Sequence, residues 1–83
     1  MSPYQLYLHG RAYETLASFS AAERKTPISL FHRLVNDPFQ PRDYAELVEG
    51  FDVSVMLMGR HAILYRVDHA VKEIKIVDVR QAD

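Results

Sequence analysis

Residues 60–79, "RHAILYRVDHAVKEIKIVDV", decide the fold. Two β-rich runs, 61–67 and 71–79, flank a short polar break. The "DHAV" between them reads as a hairpin loop, although it is not an ideal two-residue turn. On the first run His61, Ile63, Tyr65 and Val67 share one face, while Ala62, Leu64 and Arg66 share the other. Neither face has the polar character of a strand wetted on one side. The run is therefore expected at the centre of a sheet, with helices on one face and a further cover on the other. A partner chain is the simplest cover.

Working outward, "FDVSVMLM" at 51–58 alternates with a period of two. Phe51, Val53, Val55 and Leu57 fall on one side; Asp52, Ser54, Met56 and Met58 fall on the other. Gly59 turns the chain into the central run. "RDYAELVEG" at 42–50 leaves a short helical turn open. At the other end, "YQLYLH" at 4–9 reads as a first strand, and Gly10 marks a turn. From 11 to 19 the spacing becomes helical, with Ala12, Leu16 and Phe19 on one face. "SAAE" at 20–23 fits a capping box, and "TP" at 26–27 fits a cap followed by proline. The two compete, because Pro27 has no amide to bond Glu23. A second helix is expected from 27 to 36, with Ile28, Phe31, Leu34 and Val35 as its apolar face, ended by "NDPFQP". The expected fold is an α+β domain spanning 1–83, in the order β-α-α-β-β-β, with a helical hairpin packed on one face of an antiparallel sheet.

Composition narrows the function classes. The 83 residues are 48% hydrophobic and 25% charged, as in an ordinary folded domain, and suffice for one core. There is no cysteine, hence no disulfide framework and no thiolate metal site. Ten basic and eleven acidic side chains are interspersed, for a net charge of −1. Nucleic-acid binders usually carry a basic surplus, because phosphate neutralisation supplies much of their affinity. No apolar run approaches the ~20 residues that a membrane helix needs, and the start does not read as a signal peptide. A cytoplasmic location is expected.

A strand, a helical hairpin ending in "LVNDP", and a meander holding "ILYRVD" and "VKEIKIVDV" together resemble the RelE/ParE toxin superfamily, the plasmid-stabilisation-type toxins of type II toxin–antitoxin systems. The resemblance spans nearly the whole chain. It implies a small toxin neutralised by an antitoxin protein, acting either as a ribosome-dependent messenger RNA endoribonuclease or by poisoning DNA gyrase. Ribonucleolytic members draw on basic residues and a late tyrosine on the concave sheet face. Aligned through "ILYRV", their strand arginine falls on Ala62 and their last-strand arginine falls near Ala82. No late tyrosine precedes Asp83.

Cleavage through a 2′-hydroxyl needs a proton acceptor, a cation for the phosphate and a donor to the leaving oxygen. The substitutes within reach of sequence reasoning are Arg66, Arg80 and Lys72; the competing reading makes them strand-edge or solvated charges. His61 and Tyr65 lie ~13 Å apart along one strand face and read as packing residues. No metal or cofactor is expected: the histidines have no ligand spacing, and Gly10, Gly50 and Gly59 are isolated turn formers. The expected partner surface is Met56, Met58, Ala62, Leu64 and Arg66, an apolar face costly to leave bare. Three functions remain open: a toxin acting by protein binding, a rearranged endoribonuclease, and a non-toxic homodimeric module.

Overall fold

The computed structural model describes residues 4–81. In chain order it contains β1 (Gln5–Leu8), α1 (Gly10–Ser18), α2 (Ala21–Asn36), β2 (Tyr44–Val48), β3 (Phe51–Met58), β4 (His61–Asp68) and β5 (Glu73–Gln81). The strands form one sheet in the order β1-β5-β4-β3-β2. All neighbours are antiparallel except β1 and β5, which run parallel. The sequence places β4 at the centre, and there it lies: Ala62, Ile63, Leu64 and Tyr65 are all buried.

Residues paired across a ladder share a face, so the registers assign every side chain. On one face Met56 lies opposite Ile63, Met58 opposite His61, and Tyr65 opposite Ile76. Both helices cover this face. Ala12 and Leu16 of α1, with Leu30, Phe31 and Leu34 of α2, join Ile63, Tyr65, Ile74, Ile76 and Val79 in the main core. The opposite, helix-free face carries a second cluster of Val53, Val55, Ala62 and Leu64, with Val48 and Val77 packed beside it.

Helix α2 begins at Ala21, six residues before the expected start, because the capping box wins. Ser20 Oγ accepts from the Glu23 amide at 3.2 Å, and the Glu23 carboxylate accepts from the Ser20 amide at 2.8 Å. Pro27 sits inside the helix. It forfeits one bond to the Glu23 carbonyl, and the buried ring together with the cap offsets that loss. The buried face consequently runs through Pro27, Leu30, Phe31 and Leu34, a clean i, i+3, i+4, i+7 stripe. Ile28, expected on that stripe, is exposed.

Residues 42–50 do not form a helical turn. They supply β2 and the tight loop joining it to β3, so the order is β-α-α-β-β-β-β with one strand more than expected. Glu49 and Gly50 both have positive φ, 52° and 82°, the handedness a two-residue hairpin loop requires. A glutamate pays about 1 kcal/mol or more for that conformation, which makes Glu-Gly a quieter signal than Asn-Gly. In β5, Leu64 pairs with Asp78 and Tyr65 with Ile76, so Val77 is the extra residue of a β-bulge. Bulges bend a strand and increase its twist. Among the described residues no helix is long and apolar enough to cross a membrane.

The Ser20 backbone and hydroxyl hold the Glu23 carboxyl below its usual pKa of 4.5; slight burial opposes this, and His61 nearby assists. A folded-state pKa that is depressed contributes stability above the unfolded value and loses it as pH falls through the folded one. Loss of the N-cap hydroxyl in Ser20→Ala should lower unfolding stability by about 1 kcal/mol, the usual worth of such a cap, in urea titrations at neutral pH. The penalty of Glu23→Ala should shrink as the pH falls below 4.5.

Candidate functional site

The two sets of residues singled out from the sequence do not assemble as expected. Met56 and Met58 point to the helix-packed face, where they pack against the main core. Ala62, Leu64 and Arg66 lie on the opposite face, because Ala62 pairs with Leu57 and Leu64 with Val55. One surface cannot present all five. Nor are Ala62 and Leu64 bare: they are 7% and 1% exposed in the isolated chain.

An ion pair explains how a face without helices becomes buried. Arg80 of β5 donates from Nη1 to Glu46 of β2 at 2.9 Å, and from Nε to Asp78 at 3.3 Å. Strands β2 and β5 are three spacings apart, ~14 Å in a flat sheet. Bringing these side chains together requires the sheet to curl, and the guanidinium then bridges over the small apolar cluster. The bulge at Val77 supplies extra bend in β5, while Asp78 is anchored by the Val79 amide at 2.8 Å. Burial works against the charge of Arg80, but Glu46 and Asp78 outweigh it and hold its pKa above the ordinary arginine value. Arg80 is a latch, with both of its carboxylates already in place.

The other candidate cations lie elsewhere. Arg66 is on the same face as Arg80, four residues along from Ala62, its partner on β4. Its guanidinium lies 4.7 Å from the centroid of the Phe51 ring. Lys72 sits at the far hairpin with φ 57°, and its carbonyl accepts from the Gln5 amide. Lys72 and Arg80 are ~26 Å apart along the chain direction of β5. The three do not converge on a phosphate-sized site, and Ala82 lies outside the described residues.

Two of the concavities among the described residues adjoin these positions. The first, of about 400 Å³, opens on the helix-packed face beyond α2, between Arg42, Asp52, Ser54, Tyr65, Phe39 and His69. Phe39 stacks on His69 at 4.4 Å, and the Tyr4 hydroxyl lies 2.7 Å from His69 Nδ1, tying three segments together. Burial, reinforced by Asp43 and opposed by Arg42, pushes the Tyr65 hydroxyl above 10.0, so it stays a neutral phenol. The second, of about 180 Å³, opens on the latched face at the β2–β3 turn. Val48, Phe51, Val53 and Val77 wall it, with Arg66, Lys75, His9 and Glu49 around them. Sequence reasoning missed Glu46, Phe51, Lys75 and Val77 as members of this face. The register opposing Arg66 to Lys75 is the signal that would have found Lys75, and it depends on the bulge.

If Arg80 is a latch, Arg80→Ala should lower stability by about 1–3 kcal/mol, because Asp78 loses its cation and apolar surface is uncovered. The loss should persist in 1 M salt, measured by urea denaturation. A loss that salt abolishes would make the pair an ordinary screened surface contact.

Neither a protein-family model nor a curated protein sequence matches this chain. Solved structures do. A chain of the archaeal RelE–RelB complex from Pyrococcus horikoshii OT3 is similar at a TM-score of 0.76 and 21% identity, over 95% of this chain and 94% of that one. A chain of the toxin–antitoxin complex RelBE2 from Mycobacterium tuberculosis gives 0.74 and 18%, over 95% and 98%. The intact RelBE toxin–antitoxin complex of E. coli gives 0.65 and 14%, over 96% and 98%. With two helices on one face of a five-stranded sheet, and likeness over 95% of its length, this chain has the RelE-like fold of these structures.

Proposed function

We propose that this chain is the toxin-like component of a type II toxin–antitoxin system, acting in the cytoplasm by binding proteins. Its partners are an antitoxin that neutralises it and a cellular protein target such as DNA gyrase. The observation that carries this reading is the likeness, over 95% of the chain, to structures solved as toxin–antitoxin complexes. A domain that shares a fold need not share a reaction, so the choice of mechanism rests on the site.

The site supports binding over cleavage. A ribonuclease needs a free cation beside the scissile phosphate and a group to move the proton. Arg80 is engaged by two carboxylates, Arg66 by the Phe51 ring, and Lys72 lies at the other end of β5. Ala62 supplies no charge where nucleolytic relatives of the resembled superfamily place arginine. The net charge of −1 gives no general attraction for RNA.

Expression from a tight promoter should arrest growth, and co-expression of the small protein encoded beside this gene should relieve the arrest. Primer-extension mapping during arrest should show no new messenger RNA ends. Specific cleavage lost in Arg66→Ala would transfer the assignment to a ribosome-dependent endoribonuclease. Absence of both arrest and a co-purifying partner would leave the homodimeric interaction module.

A further inference from the structure

We propose that the hollow of about 400 Å³ on the helix-packed face binds one ring of a neutral sugar, through the unpaired hydroxyls of Tyr65 and Ser54 and the open face of Phe39. The site is additional to the protein-binding reading above and independent of it.

Tyr65 carries the first half of the argument. It is only 2% exposed, and it lines the hollow. Its hydroxyl makes no hydrogen bond among the described residues, yet no sealed side-chain polar atom there lacks a partner. The hydroxyl therefore opens into the hollow, unpaired. A buried phenol whose polar tip meets nothing in its own chain is a group waiting for a hydrogen bond. Ser54, its direct partner across the β3–β4 ladder, lines the same hollow, and its hydroxyl is unpaired as well. At about 400 Å³ the space lies above the ~300 Å³ at which small-molecule sites begin.

The lining then selects an uncharged ligand. Arg42 is paired with Asp52 at 3.1 Å, and the Arg66 guanidinium lies on the opposite face, over Phe51. Asp43, held by the Leu57 amide, acts on the Tyr65 hydroxyl more strongly than Arg42 does, so no positive field awaits an anion. Two arginines thus meet two aspartates, and neither sign is left over. What stays unpaired is neutral: two hydroxyls, each able to donate and to accept. Sugar hydroxyls are of the same kind and can meet them in either sense, whereas each edge atom of a nucleobase is fixed as donor or acceptor. The C–H face of a sugar ring also suits the electron-rich face of an aromatic ring. Phe39 offers such a face. It is 72% exposed, with one side stacked on His69 at 4.4 Å and 8°. Tyr4 stands perpendicular beside this stack, 6.3 and 5.7 Å from the two centroids, and so covers neither outer face. Its hydroxyl holds His69 at 2.7 Å, which fixes the platform before any ligand arrives.

The test is a two-dimensional NMR titration of the full chain with glucose, galactose and mannose in turn. Gluconate, protonated glucosamine and uridine serve as anionic, cationic and nucleobase-bearing controls. The amides of Gln40, Ser54, Tyr65 and His69 should shift saturably with at least one hexose at millimolar concentration, and more weakly with every control. Tyr65→Phe should weaken binding about threefold to tenfold, the worth of one hydrogen bond. It should leave the urea midpoint unchanged, because that hydroxyl pairs with nothing in the chain. Phe39→Ala should weaken binding by a similar factor, and Arg66→Gln should leave it as it was. No saturable shift with any hexose up to about 50 mM, beyond the range of a weak millimolar complex, overturns the proposal. So does binding of any control as tight as the best hexose, or full affinity in Tyr65→Phe. A Tyr65→Phe chain that loses stability shows the hydroxyl to be a structural group, and the proposal falls with it.

Discussion

The structure depends on closing the second face of a central strand that is apolar on both sides. Two helices cover one face of β4. The other has no helix, and a flat sheet would leave Val53, Val55, Ala62 and Leu64 in water at ~25 cal/mol for each Å² of apolar surface. The chain resolves this within itself. A bulge at Val77 bends β5, the β2–β3 hairpin approaches, and Arg80 bridges to Glu46 across the cluster. No companion polypeptide is needed to bury those four residues.

That solution constrains function, because it consumes a cation. Arg80 occupies the ladder position directly opposite Ala62 and so stands where a basic site on this face would want positive charge. Its two carboxylate partners engage it in structure. Farther along the same face Lys75 has Glu73 beside it, and Arg66 lies over the Phe51 ring.

The legible part of this fold was the part written in period. The two apolar faces of 61–67 placed β4 at the centre, and the helical spacing of Ala12, Leu16 and Phe19 placed α1 on the core. The errors in element boundaries share a cause, which is competition between local signals of similar strength. Pro27 argues for a helix start and the Ser20–Glu23 box argues for an earlier one; burial of the proline ring, invisible in sequence, decides between them. Residues 44–48 carry apolar side chains at 45, 47 and 48, too mixed for a clear alternation, and become a strand only through pairing with β3. Face assignment failed for Met56 and Met58 for a different reason. Period two fixes which residues of one strand share a side, but the relation between two strands comes from the loop joining them. The two-residue loop after Met58 sets Met56 opposite Ile63, and so puts the methionines with the helices.

A fold held at low identity need not carry the same activity. The structures it matches share 14–21% of its residues, yet reproduce its course over nearly the full chain. What this requires of a sequence is modest: a doubly apolar central strand, a helix pair for one face and some device for the other. Here that device is a cation from β5 gripping a carboxylate from β2, its long stem laid over apolar surface while its head stays wet. A chain that spends an arginine in this way keeps the architecture while removing a cation from the chemistry. On this fold, therefore, the partners already bound to each basic side chain say more about activity than the number of basic side chains does.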